Sequence, residues 1–462
     1  MVAISKLVNS GLLLAGQSVF SDVASPQQAS TQQYNILSFL GGAAPYIQHP
    51  GFGISPDVPP QCTLEQVHLL SRHGERYPST NSGKTLEKIM KKFEDYNGTF
   101  TGELAFLNDY TFFVPDDALL EKETTPFNSH SPYAGTSNAM RHGMFFRNKY
   151  QSLFNATEET LNVFTSNSGR VHLTSQYFAR GFMGEQYSDD AVKYYVITED
   201  AEMGANSLTP RSGCQAYDED ANDDLVSKFD TSFLEDAQKR ILKGNDGLNL
   251  TTKDVNQLFS WCAYEINVRG SSPFCDLFTN EEFIKYSYST DLSNYYSHGK
   301  GHNLTHVIGA PYLNATLQFL KEENPDFKVL LAFTHDTDVE IFHSALGLLE
   351  PKDDLPTDHI PFPNPYVHSQ IVPQGARLYT EKYTCDGESY VRYLVNDAVY
   401  PIQSCQSGPG FSCKLSDFES YINSRLEGVD YASQCNATNV PSEVTFLWDY
   451  KTANYTATDI NA

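Results

Sequence analysis

The sequence predicts an α/β fold: a mixed, mostly parallel sheet flanked by helices, with a helical cap inserted into it. Three segments predict the sheet, because in each an apolar strand pattern runs into a polar turn and then into a helical pattern. A long stretch with helical spacing, from about residue 231 to 297, predicts the cap. With 462 residues, the chain can bury one large core or two closely packed cores.

The first strand pattern is Val67–Leu70, and it leads into the motif R-H-G-E-R-Y-P at residues 72–78. Ligands of α/β sheets bind at the carboxyl ends of the strands. Guanidinium groups match the oxygens of a phosphate, and a neutral imidazole is a nucleophile. Arg72, His73 and Arg76 therefore predict an anion clamp around an attacking nitrogen. For R-H-G alone, a basic surface turn paired with carboxylates is the alternative interpretation.

Two later strand patterns end in polar residues of the same kind. The pattern Leu161–Thr165 is followed by Arg170, and Lys328–Phe333 is followed directly by Thr334 and then by His335 and Asp336. The carboxyl ends of parallel strands meet at one edge of a sheet. We therefore expect these three side chains beside the first motif.

The rest of the chain fills in the helices and the far side of the sheet. We assign to the α/β core the residues from about 60 to 80, 130 to 200 and 300 to 462. We assign to the cap those from about 81 to 129 and 215 to 299. A second R-H-G, at 141–143, lies in an amphipathic helical pattern without a following E-R-Y-P, so His142 is predicted to be structural. Further strands are predicted at Lys193–Thr198, Ala376–Thr380, Tyr390–Val395 and Val444–Trp448.

The charge of the chain excludes some classes of partner. Its 32 basic and 57 acidic residues leave a net charge of −25, which argues against nucleic acid and anionic membranes. After the N-terminal segment, no stretch is apolar for long enough to span a bilayer. The sequence favours a small-molecule partner and leaves a homo-oligomer open.

The cysteines and sequons indicate a secreted glycoprotein, extracellular or attached to a cell wall. There are eight cysteines without a C-x-x-C, so a zinc site is not expected. The glycosylation sequons are at Asn97, Asn155, Asn249, Asn303, Asn314, Asn436 and Asn454. Residues 1–21 are similar to a signal peptide, with a retained N-terminal arm as the alternative, and residues 34–462 form the predicted catalytic unit. A cytosolic protein with chance sequons is the competing interpretation.

The motif R-H-G-E-R-Y-P, together with the H-D pair at 335–336, resembles the signature of the histidine acid phosphatases. The resemblance is closest to the branch of yeast secreted acid phosphatases and fungal phytases. It implies the histidine phosphatase fold and catalysis without a metal or other cofactor. In this resemblance His73 is the nucleophile, Asp336 is the proton donor, and the phosphate is bound by Arg72, Arg76, Arg170 and His335. It also implies the disulfides Cys62–Cys385, Cys214–Cys435, Cys262–Cys275 and Cys405–Cys413.

Several alternatives stay open on the sequence alone. The substrate could be phytate (myo-inositol hexakisphosphate) or a broad set of phosphomonoesters, since a phytase needs extra basic groups that the motifs do not reveal. Glu75 is an alternative proton donor. A phosphotransferase or mutase could use the same clamp, although the cysteines, the sequons and the H-D pair argue against it. A protein that binds phosphorylated ligands without turnover would be expected to lack His73 or Asp336.

Overall fold

The first strand of the protein, Cys62–Arg72, lies inside one eight-stranded sheet in the computed structural model. The structure describes residues 35–457 and residue 460, so the predicted signal peptide at 1–21 lies outside the described residues. In chain order the strands are β1 Cys62–Arg72, β2 Leu161–Ser166, β3 Val192–Ile197, β4 Val329–Thr334, β5 Arg377–Cys385, β6 Glu388–Val395, β7 Ala398–Val399 and β8 Cys413–Lys414.

The order of the strands brings the predicted site residues together. The sheet runs β3-β2-β4-β1-β5-β6-β7, and β8 pairs with β6. The strands β3, β2, β4 and β1 are mutually parallel, whereas β5 to β8 add antiparallel pairings. In the central pair, Arg72 of β1 lies opposite Thr334 of β4. The residues that follow these two strands therefore emerge side by side, as predicted.

Helices cover both faces of the sheet and also form the cap region. They are α1 Thr80–Glu94, α2 Gly135–Tyr150, α3 Gly169–Met183, α4 Asp223–Val226, α5 Phe233–Ile241, α6 Thr252–Arg269, α7 Asn280–Ser297, α8 Thr305–Lys321, α9 Asp336–Leu346, α10 His368–Ile371, α11 Leu415–Leu426, α12 Tyr431–Gln434 and α13 Phe446–Asp449.

Strand β4 shows why the sheet needs helices on both faces. All six of its residues are buried, as expected for a central parallel strand. Leu330 and Ala332 belong to the apolar cluster that includes α8 and α9 residues, while Leu331 and Phe333 belong to the cluster that includes α2 and α3 residues. Alternate side chains point to opposite faces. The core of the protein is therefore a three-layer α/β/α sandwich.

A third large apolar cluster lies in the cap region. It combines residues of α1 and the segment up to Leu120 with residues of α5, α6 and the first half of α7. Trp261 of α6 is fully buried in it and stacks on Phe274 at 4.4 Å. Leu37, Leu40 and Ala44 from the start of the described chain also belong to this cluster, and the sequence patterns did not place them there.

One predicted strand is wrong. Residues Val444–Trp448 were expected to be β-structure, but α13 occupies Phe446–Asp449. Phe446 and Leu447 are buried in the apolar cluster that contains Leu330 and Ala332 of β4. The Asn206 side chain accepts hydrogen bonds from the Thr445 and Phe446 amides. A short apolar run does not distinguish a strand from a buried turn of helix.

The structure contains the four disulfides that the resemblance implied. They are Cys62–Cys385, Cys214–Cys435, Cys262–Cys275 and Cys405–Cys413. The first joins the start of β1 to the end of β5, where the two residues are directly opposite in the antiparallel ladder. The strand that carries the R-H-G motif is therefore covalently tied to the C-terminal half of the sheet.

Candidate active site

The R-H-G-E-R motif begins at the last residue of β1 and turns away from the sheet. The His73 amide donates to the Thr334 carbonyl at 3.1 Å, and the Gly74 amide donates to the Thr174 hydroxyl at 2.8 Å. A Cβ at position 74 would approach the Gly135 carbonyl oxygen at 3.0 Å, which explains glycine there. The motif is thus fixed to β4, α2 and α3 at once.

The imidazole of His73 is oriented by its own turn. Its Nδ1 lies 2.8 Å from the Gly74 carbonyl oxygen. A carbonyl only accepts hydrogen bonds, so Nδ1 carries the proton and Nε2 carries the free lone pair. The side chain is 1% exposed. The geometry presents one defined nitrogen for attack.

Arg72, the neighbour of His73 in the chain, contacts the carboxyl group of Asp336. One guanidinium nitrogen of Arg72 donates to the Gly42 and Val372 carbonyl oxygens at 2.7 and 2.5 Å, and the other lies 2.8 Å from Asp336 Oδ2. Asp336 is the first residue of α9, two residues after the end of β4. The clamp and the predicted proton donor are therefore in contact.

Arg170 and His335 form the opposite side of the same cluster. Arg170 lies in the first turn of α3, and one of its guanidinium nitrogens is 3.5 Å from His335 Nδ1. The other is paired with Glu121 at 3.0 Å. The rings of His73 and His335 are 5.8 Å apart between centroids. Arg76 completes the set, with its guanidinium carbon 5.7 Å from the centre of the Tyr264 ring in the cap region.

Comparison with known proteins agrees with this geometry. The family model described as the histidine phosphatase superfamily (branch 2) matches residues 63–396. The phytase PHO112 of Candida albicans is 61% identical over 459 residues, covering 99% of both chains. The chain belongs to branch 2 of the histidine phosphatase superfamily.

Two further relatives of this histidine phosphatase cover nearly its whole length. The constitutive acid phosphatase of Saccharomyces cerevisiae is 44% identical over 466 residues, covering 99% of this chain and 97% of its own. The crystal structure of the phytase from D. castellii is 60% identical and superimposes with a TM-score of 0.93, covering 96% of this chain and 97% of its own.

The charges of the site keep its two central groups in defined protonation states. Burial, followed by the charges of Arg72, Arg170 and Arg76, lowers the pKa of His73 well below its usual range, so the imidazole is neutral even in acid. Burial of Asp336 favours its neutral form, but Arg72 and the surrounding histidines outweigh it and hold the pKa of that carboxyl well below its usual range. These charges therefore favour the ionised form of Asp336 in this histidine phosphatase.

Two carboxylates of the site were missed in the sequence analysis. Glu199 accepts a hydrogen bond from His335 Nε2 at 2.7 Å, and Glu121 pairs with Arg170. Burial would raise the pKa of Glu199, but the bond and charge of His335 prevail and lower it to about 2. Glu199 lies two residues beyond β3, whose carboxyl end reaches the same edge of the sheet. The same argument that predicts Arg170 and Asp336 from the ends of their strands would therefore also have predicted Glu199. Glu121 lies in the cap region and gives no such signal.

A buried pair lies behind Arg72. His368 Nδ1 is 2.8 Å from Glu340, whose carboxylate also accepts from the Tyr366 hydroxyl at 2.7 Å. Despite burial, the charge of Glu340 raises the pKa of His368 above its usual value. The charge of His368 is one of those that lower the pKa of Asp336, and no sequence motif indicated this histidine.

Glu75, the alternative donor, has other partners. Its carboxylate accepts from the Tyr46 amide at 2.9 Å and from the Asn138 side chain at 2.7 Å. His142, in the second R-H-G, is buried on α2, where its Nε2 bonds the Tyr379 hydroxyl at 2.8 Å and its ring packs on Phe178. Both groups are held by contacts within the fold.

A buried carboxyl beneath the motif predicts a pH-dependent stability. Burial raises the pKa of Glu123 well above its usual value and the nearby Glu75 raises it further; no salt bridge neutralises Glu123 within the described residues. A carboxyl group whose pKa is higher in the folded protein stabilises the fold at a pH below its unfolded pKa, which is about 4.3 for glutamate. This stabilisation is lost as pH rises through the folded pKa. We expect Glu123→Gln to raise the free energy of unfolding at pH 7 by about 1–3 kcal/mol, and to change it little at pH 4.

The matched control is Glu381→Gln. Glu381 is as deeply buried, but it is paired with Arg392 at 2.6 Å and Lys149 at 2.7 Å, and these cations overcome burial and lower its pKa. This variant should lose stability at neutral pH and lose less as pH falls. Urea unfolding of both variants at pH 4 and pH 7 tests the pair. A Glu123→Gln protein that is less stable at pH 7 would contradict the assignment.

Proposed function

We propose that this histidine phosphatase is an acid phosphomonoesterase of the phytase type, acting through a phosphohistidine at His73 without a metal cofactor. The observation that carries the proposal is the cluster at one sheet edge. There His73, with its Nε2 lone pair free, lies within the electrostatic reach of Arg72, Arg76 and Arg170, and Arg72 contacts Asp336 at 2.8 Å. Three guanidinium groups supply the charge neutralisation that phosphoryl transfer requires.

In the first step the lone pair of His73 Nε2 forms a bond to phosphorus while the ester P–O bond breaks. Arg72, Arg76 and Arg170 hold the non-bridging oxygens, and the leaving alkoxide takes the proton of Asp336. In the second step a water molecule gives a proton to Asp336 and attacks phosphorus, and the P–N bond breaks. Phosphate leaves, and both side chains return to their starting protonation states.

The charges predict an acid pH optimum. His73 is neutral far below pH 6.5 and can attack in acid. Asp336 must be protonated to serve as a donor, and a bound phosphate raises its pKa because the anion offsets the field of Arg72. Activity should therefore fall as pH rises and Asp336 loses its proton.

The phytase assignment is supported by two of the similar proteins. The Candida albicans relative and the D. castellii structure, both at about 60% identity, are named phytases. The Saccharomyces cerevisiae relative at 44% identity is named an acid phosphatase. A broad-specificity acid phosphatase is the second candidate.

Secretion and glycosylation belong to the same proposal. Four disulfides favour an oxidising compartment. Six sequon asparagines are exposed and Asn314 is half-buried; the exposed ones are Asn97, Asn155, Asn249, Asn303, Asn436 and Asn454. Across the described residues, no helix is long and apolar enough to cross a membrane.

The test is phosphate release from phytate and from p-nitrophenyl phosphate between about pH 3 and pH 8, with a chelator present. We expect release from both substrates, an optimum in acid, and no loss on chelation. Release from p-nitrophenyl phosphate alone would favour the broad phosphatase. A requirement for metal would contradict the proposed chemistry.

A further inference from the structure

Arg211 lies next to the active site, on a turn that the catalytic strand holds in place. The turn is a short 3₁₀ helix, Pro210–Gly213. The Thr334 hydroxyl, at the end of β4, donates to the Leu208 carbonyl at 2.6 Å. The Tyr431 hydroxyl donates to the Pro210 carbonyl at 2.7 Å, and the neighbouring Cys214 is bonded to Cys435. The backbone of Arg211 is thus fixed relative to His335 and Asp336.

The donors of the Arg211 guanidinium are unused. Its Nε lies 3.8 Å from Asp338 Oδ2, too far for a hydrogen bond, and no other salt bridge or hydrogen bond of this side chain is found among the described residues. The side chain is 32% exposed. By contrast, the guanidinium of Arg72 donates to two carbonyl oxygens and contacts Asp336. That of Arg170 pairs with Glu121. An arginine held in place with free donors is suited to binding an anion.

Under acid conditions the groups around Arg211 offset its positive charge less than they do at neutral pH. Asp338 and Asp336 both lie within its electrostatic reach, as do Tyr217 and the exposed Glu219. Burial raises the pKa of Asp338 to about 6, so this carboxyl is neutral at the acid pH proposed for catalysis. Its neutralisation removes the nearest counter-charge of Arg211.

We propose that Arg211 binds a second phosphate group of the substrate, one that neighbours the phosphate being cleaved. Asp336 protonates the leaving oxygen, so the remainder of the substrate extends from the Asp336 side of the clamp. Arg211 lies on that side, with its Nε 3.8 Å from Asp338 in the first turn of α9. The inference rests on the proposed function, and it makes Arg211 a specificity-determining residue for polyphosphorylated ring substrates, with no role in cleaving the ester bond.

The test compares phytate with myo-inositol monophosphate, which has the same ring and no neighbouring phosphate. For Arg211→Gln we expect kcat/KM for phytate to fall about 10- to 100-fold, the effect of losing a charge-assisted hydrogen bond. The value for the monophosphate should change less than about twofold. Arg211→Lys should recover part of the phytate activity, since lysine restores the positive charge but lacks the planar guanidinium with its paired donors. Arg141→Gln removes an exposed arginine of α2 and serves as the charge-matched control.

The outcomes separate this inference from the proposed function. Equal losses on both substrates in Arg211→Gln would mean that Arg211 supports Asp336 and α9, and unchanged values on both would mean that it binds no phosphate; either result overturns the inference. If the wild type cleaves the monophosphate and not phytate, the phytase proposal fails and the subsite falls with it. If Arg211→Gln does not fold, Arg211→Lys provides the test. An unchanged ratio of kcat/KM for phytate to kcat/KM for the monophosphate would refute binding by the planar guanidinium of Arg211.

Discussion

Replacing His73 with alanine is expected to lower kcat by at least about 10⁴-fold on every phosphomonoester, because the substitution removes the attacking nitrogen. The arginines remain, so substrate should still bind with a similar dissociation constant. Phosphate release measures kcat of wild type and variant, and calorimetric titration of the variant with phytate measures its substrate binding.

His142→Gln is the matched control for this prediction. His142 is a buried histidine in the same R-H-G sequence, but it contacts Tyr379 and Phe178 in the fold. We expect this variant to lose stability and to keep kcat within about threefold of the wild type. A His73→Ala enzyme that retains substantial activity, or a His142→Gln enzyme that folds and is inactive, would contradict the assignment of the nucleophile.

Asp336→Asn is expected to have the second largest effect, and one that depends on the leaving group. An amide cannot protonate the departing oxygen, so kcat should fall about 10²- to 10⁴-fold on phytate. The fall should be smaller on p-nitrophenyl phosphate, since its leaving group is a weak base that needs little protonation. The ratio of the two losses measures proton donation directly.

Glu75→Gln decides between the two candidate donors. One oxygen of its carboxylate accepts from the Tyr46 amide and the Asn138 side chain, whereas the carboxylate of Asp336 contacts Arg72 of the clamp. We expect Glu75→Gln to affect the two substrates alike. If the leaving-group dependence appears in Glu75→Gln and is absent in Asp336→Asn, the roles given to these residues are reversed.

The parts of the site that lie at strand ends could be predicted from the sequence. A buried apolar strand followed by polar residues is a local pattern, and parallel pairing then brings the strand ends to one edge. This pattern predicts His73, Arg170 and Asp336 on one side of the sheet, and Arg72 of β1 does lie opposite Thr334 of β4.

The remaining partners depend on contacts between distant segments, which local patterns do not encode. Glu121 reaches Arg170 from the cap region, and Glu340 holds His368 from a different helix. The short helix at Phe446–Asp449 was predicted as a strand for a related reason, since its apolar run is buried in either conformation. In each case tertiary packing decides what the sequence pattern leaves open.

The most direct test of the account is to identify the covalent intermediate. Enzyme turning over p-nitrophenyl phosphate at acid pH is quenched in alkali, in which a phosphoramidate bond survives, and the phosphorylated peptide is located by mass spectrometry. The account predicts phosphate on the peptide that carries His73, bound through Nε2. Phosphate on another residue would contradict it, and so would inversion of configuration at phosphorus, which marks direct attack by water.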